Sequence, residues 1–201
     1  LVAHKRSSAG LRRTRRLFTT LNKTAVPVSK LERVALDEDD VMAIVVRRLV
    51  EEDARFGNGR IAMNHTANLH RDDRQHLTSI ISLYDVLSTL FSDCRSELRA
   101  RKQELRFNRP EEHRLEQYNE FARVYFDLLA EHFTPLRAFF NAQNFRRVTA
   151  RHRGDFGGHS AFRPAGLRVI TEVVAKLSTK YDLESSVRYV SELDHDLSSP
   201  P

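Results

Sequence analysis

Cysteine is nearly absent from the sequence, and long apolar runs are missing. The 201 residues include one cysteine, Cys94, so a disulfide within the chain is excluded. A free thiol is typical of proteins from a reducing compartment, and we expect a cytoplasmic protein. The longest apolar run, Val41–Val46, is far shorter than the roughly 18 residues of a membrane-spanning helix. The N-terminus also lacks the apolar stretch of a secretory signal.

Sequence motifs for several common chemistries are missing too. The glycine-containing segment 151–159 does not end in the Gly-Lys-Ser/Thr of a phosphate-binding P-loop. A Gly-x-Ser-x-Gly elbow, typical of serine hydrolases, does not occur. The chain has nine histidines, but neither the pair His65 and His70 nor the pair His152 and His159 has the spacing of a zinc site. We therefore expect no metal and no cofactor.

Positive charge is concentrated at the N-terminus. Residues 1–33 contain nine lysines and arginines and one acid, a net charge of +8, whereas the whole chain carries +6. The remaining residues therefore carry −2. A basic arm on a near-neutral body is typical of proteins that contact a polyanion. The alternative is a solvated basic helix surface.

Two basic segments are candidate phosphate sites. The first is a predicted amphipathic helix over residues 11–22, because its apolar residues form one stripe. Guanidinium groups suit phosphate geometry, and this helix has four on its other sides: Arg12, Arg13, Arg15 and Arg16. The second is the glycine-containing stretch 146–163, which includes Arg151 and Arg153 and is predicted to be irregular. For each the alternative is structural: a helix paired with acids elsewhere, or a mobile loop.

Hydrophobic periodicity predicts a mainly α-helical chain with about seven helices and one or two short strands near the N-terminus. The strongest stripe comprises Leu77, Ile80, Ile81, Tyr84, Leu87 and Phe91. Residues 29–36 are predicted to be extended, and Val41–Val46 to be a buried helix after an acidic first turn. Further helix starts are predicted from capping residues and prolines: Asp72 or Asp73, Asn108 with Pro110, Thr134 with Pro135, Pro164, and Asp182.

Residues 17–30, with the sequence LFTTLNKTAVPVSK, resemble a segment of DGQHR-domain proteins of the DndB type. That segment has a phenylalanine, then an asparagine, then a small polar run ending in valine-serine-lysine. Residues 36–40 and 162–168 are similar to later parts of the same family, so that the likeness spans about residues 11–180. The Asp-Gly-Gln-His-Arg sequence that names the family is absent from residues 1–201. We therefore expect this chain, which begins at Leu1, to be the C-terminal part of a longer protein.

The resemblance implies a fold, a partner and a set of site residues. The fold would be the end of an α/β ParB/sulfiredoxin-like core with the basic helix in residues 1–36, a helical region in 37–197 and a tail in 198–201. The function would be a DNA-associated regulator or accessory protein of a DNA phosphorothioation or related defence system. The carried-over residues are Asn22, Lys23, Ser29 and Lys30, which would line the site beside the packing residue Phe18, and Arg163, which would contact an anion.

Two other functions remain open at the level of sequence. One is a nucleotide hydrolase or ParB-like nuclease whose catalytic sequence lies upstream, with a nucleotide as an additional partner. The other is a helical protein-interaction module, which would self-associate or dock on another protein. No membrane partner is expected.

Overall fold

The computed structural model describes residues 28–154 and 157–197, together with Arg13 and Arg16. Within these residues the chain is mainly helical. In chain order the elements are α1 (Lys30–Leu36), α2 (Val41–Glu52), β1 (Ile61–Ala62), β2 (Thr78–Ser79), α3 (Ile80–Asp93), α4 (Lys102–Phe107), α5 (Glu112–His132), α6 (Thr134–Asn141), α7 (Phe145–His152), a 3-10 turn (Ser160–Phe162), α8 (Pro164–Leu177) and α9 (Leu183–Ser191). None of the described helices is long and apolar enough to span a membrane.

Several helices begin where the sequence places them. The Asp40 carboxylate accepts a hydrogen bond from the Ala43 amide at 3.1 Å at the start of α2, which confirms the helix over Val41–Val46 despite its β-branched residues. Asp182 caps α9 through the Ser185 amide at 2.7 Å. Prolines occupy the first turns of α6 and α8, as predicted.

Other predicted elements were wrong for local reasons. Residues 30–36 are helical rather than extended, because Ser29 and Glu32 form a reciprocal capping box. Ser79, not Asp72 or Asp73, caps α3. The helix predicted from Asn108 starts later, after Glu111.

One further correction concerns the stretch predicted to be irregular. Residues 145–152, predicted to be irregular from 146 onward, form α7. The only strands among the described residues are β1 and β2, which pair in parallel with Ile61 opposite Thr78. They give the α/β ParB-like assignment no support.

The core lies around α3, which packs most extensively against α8. The two helices run in the same direction, since Ser82 Oγ donates to the Pro164 carbonyl near their starts and the Arg95 amide donates to Ser178 Oγ near their ends. From α5, the Tyr125 hydroxyl joins Thr171 of α8 at 2.9 Å. The first residues of α8 therefore lie beside the start of α3, and its last residues lie beside the end of α3.

Phenylalanines fill the space between α5, α6 and α7. Their rings meet edge-to-face or tilted, and the group consists of Phe56, Phe126, Phe139, Phe140, Phe145 and Phe162. Arg60, which is 8% exposed, lies over the Phe145 ring at 4.5 Å and donates to the carbonyls of Phe139 and Ala142 at 2.7 and 2.8 Å. This aromatic packing supports the inner face of α7.

Candidate nucleic-acid interface

Helix α7 is a short amphipathic helix with a buried side and a charged side. Asn144 caps its start by accepting from the Arg147 amide at 3.3 Å. Phe145 and Thr149 are buried, and the Thr149 hydroxyl donates to the Phe145 carbonyl at 3.2 Å. The Phe145 ring contacts Phe139 with a centroid distance of 5.7 Å. These contacts fix the rotation of the helix and therefore determine which residues face outward.

The outward side, which we call the arginine face, consists of Arg146, Arg147 and Arg151. All three residues are exposed, and residues 143–154 contain no acid. The ion pairs seen in the described part of the chain include none of the three. By contrast, other surface arginines such as Arg48 and Arg109 lie against glutamates.

The arginine face is unfavourable for the helix by itself. Arg147 and Arg151 are four residues apart, so that their like charges lie on adjacent turns and repel. Arg146 and Arg147 lie in the first turn, where the helix dipole favours acids. Such pairs and dipole contacts each cost a few tenths of a kcal/mol or more. The attraction of a bound anion to these arginines would offset this cost.

Arg153, two residues beyond Arg151, lies inside the protein at 1% exposure. Its Nε donates to the Phe162 carbonyl at 2.8 Å and its Nη2 to the Leu77 carbonyl at 2.7 Å. Its Nη1 lies 3.7 Å from a carboxylate oxygen of Asp73. The guanidinium joins the end of α7 to β2 and the 3-10 turn, and this placement gives the predicted phosphate contact no support.

Two further arginines lie close to Arg153 at this end of α7. Burial is the largest cause that lowers the pKa of the Arg153 guanidinium to about 10; the charges of Arg163 and Arg74 contribute to this shift, while Asp73 opposes it. Arg163, predicted to contact an anion, donates through Nη2 to the carbonyls of Gly154 and Gly157 at 2.7 and 2.9 Å. The Arg153 guanidinium thus lies close to one carboxylate and to two further arginines.

A cluster of imidazoles lies beside the same end of α7. His159 stacks on His195 with a centroid distance of 5.3 Å and an interplanar angle of 24°, and His152 lies 6.2 Å from His159. Phe133 contacts both His159 and His195. Burial is the largest cause that lowers the pKa of His159 to about 4, with His195 and His152 adding to it. Burial also lowers the pKa of His152. No group of metal ligands occurs among the residues described.

Ser160 and His195 form a pair that resembles a nucleophile and its base. The Ser160 hydroxyl lies 2.7 Å from His195 Nδ1, and His195 Nε2 lies 2.7 Å from the Val190 carbonyl. Acyl transfer also needs free N–H donors for the developing oxyanion. The amides of residues 159–163 all donate within the protein. The geometry of this pair therefore suits a structural tie rather than catalysis.

The remaining predicted site residues lie partly within and partly outside the described part of the chain. Ser29 caps α1, and Lys30 forms an ion pair with Asp85 while its Nζ lies 5.1 Å from the Tyr84 ring centroid. Arg13 and Arg16 lie in helical backbone and are exposed. The predictions for Arg12, Arg15, Asn22 and Lys23 fall outside the described residues.

Arg146 and Arg147 lie in the basic stretch 146–163. They were not predicted as site residues, because no helix was predicted there. A run without acids from 143 to 154 was the available signal. The pairing of Ser160 with His195 had no signal, since 35 residues separate them. Comparisons with protein-family models, with curated proteins and with solved structures found no match.

Proposed function

We propose that this protein binds the phosphate backbone of nucleic acid through the arginine face of α7. The observation that supports this function is the set of three exposed arginines on one eight-residue helix, none of which forms an ion pair with another described residue. Arginine presents a planar fork of donors that matches phosphate oxygens.

The proposed contacts are to the backbone and not to the bases. Backbone contacts release counterions and are independent of sequence, and non-specific affinities of this kind have dissociation constants of about 10⁻⁴ to 10⁻⁶ M at physiological salt. The N-terminal segment, at +8 over residues 1–33, would add further contacts, with the exposed Arg13 and Arg16 among them.

A narrower proposal follows from the likeness of residues 17–30 to DndB-type proteins. In it the chain is an accessory or regulatory protein of DNA phosphorothioation or a related defence system. The basic N-terminal segment and the arginine face are compatible with DNA as the partner. Equal affinity for a phosphorothioate duplex and its unmodified counterpart would remove sulfur recognition by this chain from the proposal.

The test of backbone binding replaces Arg146, Arg147 and Arg151 together with glutamine. We expect the wild-type protein to bind duplex DNA with an affinity that falls steeply as salt rises. Each lost phosphate contact reduces the slope of log K against log salt by about 0.9, so the triple variant should lose about 2 to 3 from its magnitude. Fluorescence anisotropy with a labelled 20-base-pair duplex at several salt concentrations measures this slope.

The matched control removes the same charge elsewhere, by Arg95→Gln, Arg101→Gln and Lys180→Gln. These residues are exposed. Arg95 and Lys180 lie near the end of α8, about 20 Å along that helix from the end near α7. A control variant with wild-type slope supports the proposal. Equal loss in both variants would show a general charge effect and contradict a defined face.

A further inference from the structure

The C-terminal segment Asp194–Leu197 folds back onto the glycine loop 157–160. The Ser160 amide donates to the His195 carbonyl and the Leu197 amide to the Gly158 carbonyl, both at 2.8 Å. His159 and Asp196 form an antiparallel bridge between these hydrogen bonds. The side chains of Ser160 and His195 add a further bond at 2.7 Å. The segment is thus tied to the loop through both backbone and side chains.

The glycine loop in turn lies directly against the last residue of α7. The His159 amide donates to the His152 carbonyl at 3.0 Å. Gly158 has a φ of +108°, and a Cβ there would lie 2.3 Å from the same carbonyl oxygen, so only glycine allows this approach. The C-terminal segment therefore adjoins the Arg151 end of the arginine face.

The charge of the segment is opposite to that of the face. Three exposed acids lie at the C-terminal end of α9 or after it, namely Glu192, Asp194 and Asp196. Asp196 lies near enough to His159 to raise the pKa of that imidazole. A negative segment next to the Arg151 end of the arginine face reduces the positive potential there and competes with an incoming phosphate.

The His159 imidazole, between the segment and the loop, is packed for its neutral form. His159 Nδ1 accepts from the Ala161 amide at 3.2 Å, a bond that a protonated ring cannot make. The groups that face His159 are His195 on the segment, His152 on α7, Asp196 in the bridge, and the apolar rings of Phe133 and Phe162. Of the charged groups nearby, Arg151 acts on His152, and Arg163 holds the loop carbonyls. Asp196 alone among these favours a protonated ring.

We propose that Asp194–Leu197 is an acid-released latch, whose opening removes the acidic segment from beside the arginine face and raises the affinity of that face for nucleic-acid phosphate. Protonation of His159 would remove the Ala161 bond and place a positive charge against the rings of Phe133 and Phe162, and both effects would weaken the loop. The affinity part of the proposal rests on the proposed function, whereas opening of the latch does not.

The direction of the pH dependence follows from the shifted group. The pKa of His159 is lowered to about 4 in the closed latch, and a solvated histidine has a pKa near 6.5. The open form therefore binds more protons between these values, and the stability of the closed latch is lost as the pH falls from about 6.5 towards 4. Between pH 7.5 and pH 5.0, the open-to-closed ratio should rise roughly 30-fold.

Hydrogen exchange followed by NMR tests the opening on the full chain. The amides of Ser160 and Leu197 should lose protection, corrected for the intrinsic pH dependence, by up to roughly 30-fold between pH 7.5 and pH 5.0. The Ile44 amide in α2, which donates to the Asp40 carbonyl, reports opening of the core and should keep its protection. His159→Asn retains an acceptor for the Ala161 amide but cannot be protonated, so its latch amides should be insensitive to this pH change.

Duplex binding by the Asp194→Asn and Asp196→Asn double variant tests the coupling. At pH 7.5 it should bind more tightly than the wild type by several-fold, and its affinity should change less between pH 7.5 and pH 5.0. Unchanged protection of Ser160 and Leu197 in the wild type would overturn the latch. Lost protection without duplex binding at either pH would instead overturn the proposed function. Lost protection with equal binding by the double variant and the wild type would overturn the coupling.

Discussion

Arg153→Met is expected to lower the free energy of unfolding by about 3 to 5 kcal/mol. The guanidinium is 1% exposed and is the donor to the carbonyls of Phe162, Leu77 and Asp73. Methionine fills a similar volume but donates no hydrogen bond, so these oxygens would lose their donors inside the protein. Thermal unfolding should show a midpoint lower by roughly 10 °C for a chain of this size.

Arg151→Met provides the matched control for this prediction, since it makes the same change two residues earlier. The Arg151 side chain is exposed and takes part in none of the described hydrogen bonds or ion pairs. The free energy of unfolding of the Arg151→Met variant should therefore stay within about 0.5 kcal/mol of the wild-type value. Its duplex affinity should fall instead. Similar destabilisation by both substitutions would contradict the assignment of Arg153 to the interior and Arg151 to the surface.

Phe126→Ala is expected to cost about 3 to 5 kcal/mol of stability. The side chain is 1% exposed, and its ring meets Phe56 edge-to-face at 4.7 Å and Tyr125 at 5.4 Å. Truncation would leave a cavity between α5 and Phe56, which lies in the turn after α2. Phe56 also packs on Phe140 at 5.7 Å. Chemical denaturation followed by circular dichroism measures the loss.

Val124→Ala, two positions earlier on α5, controls for the change in helix composition. Val124 is 39% exposed, so that its truncation should cost under about 1 kcal/mol. A loss at Phe126 no greater than that at Val124 would contradict the described packing of the phenylalanine cluster.

Elements with a strong local signal were predicted correctly from the sequence. The starts of α2 and α9 were predicted from Asp40 and Asp182, because a carboxylate before a periodic apolar run caps a helix. The region around Ser29 was missed, although Ser-x-x-Glu is itself a capping signature. There Pro27 and the weak alternation of residues 31–36 favoured an extended prediction. For α7, the glycines at 154, 157 and 158 favoured an irregular prediction, although the helix ends just before them.

The candidate site was predicted only in part, because charge patterns do not determine which side chains are buried. Arg151 and Arg153 have the same sequence context, and the structure places the first on the surface and the second in the core. That difference depends on carbonyls from Leu77 and Phe162, which are distant in sequence. The tie between Ser160 and His195 likewise depends on a fold-back that no local pattern indicates.

The most direct measurement of the central claim is an NMR titration of the ¹⁵N-labelled protein with a 12-base-pair duplex at neutral pH and low salt. We expect the largest amide shifts in residues 145–152 and 157–160. These shifts should disappear when salt is raised, because counterions displace contacts to the phosphate backbone. Shifts confined to other surfaces, such as that around Arg95 and Lys180, or no shifts at all, would contradict the central claim.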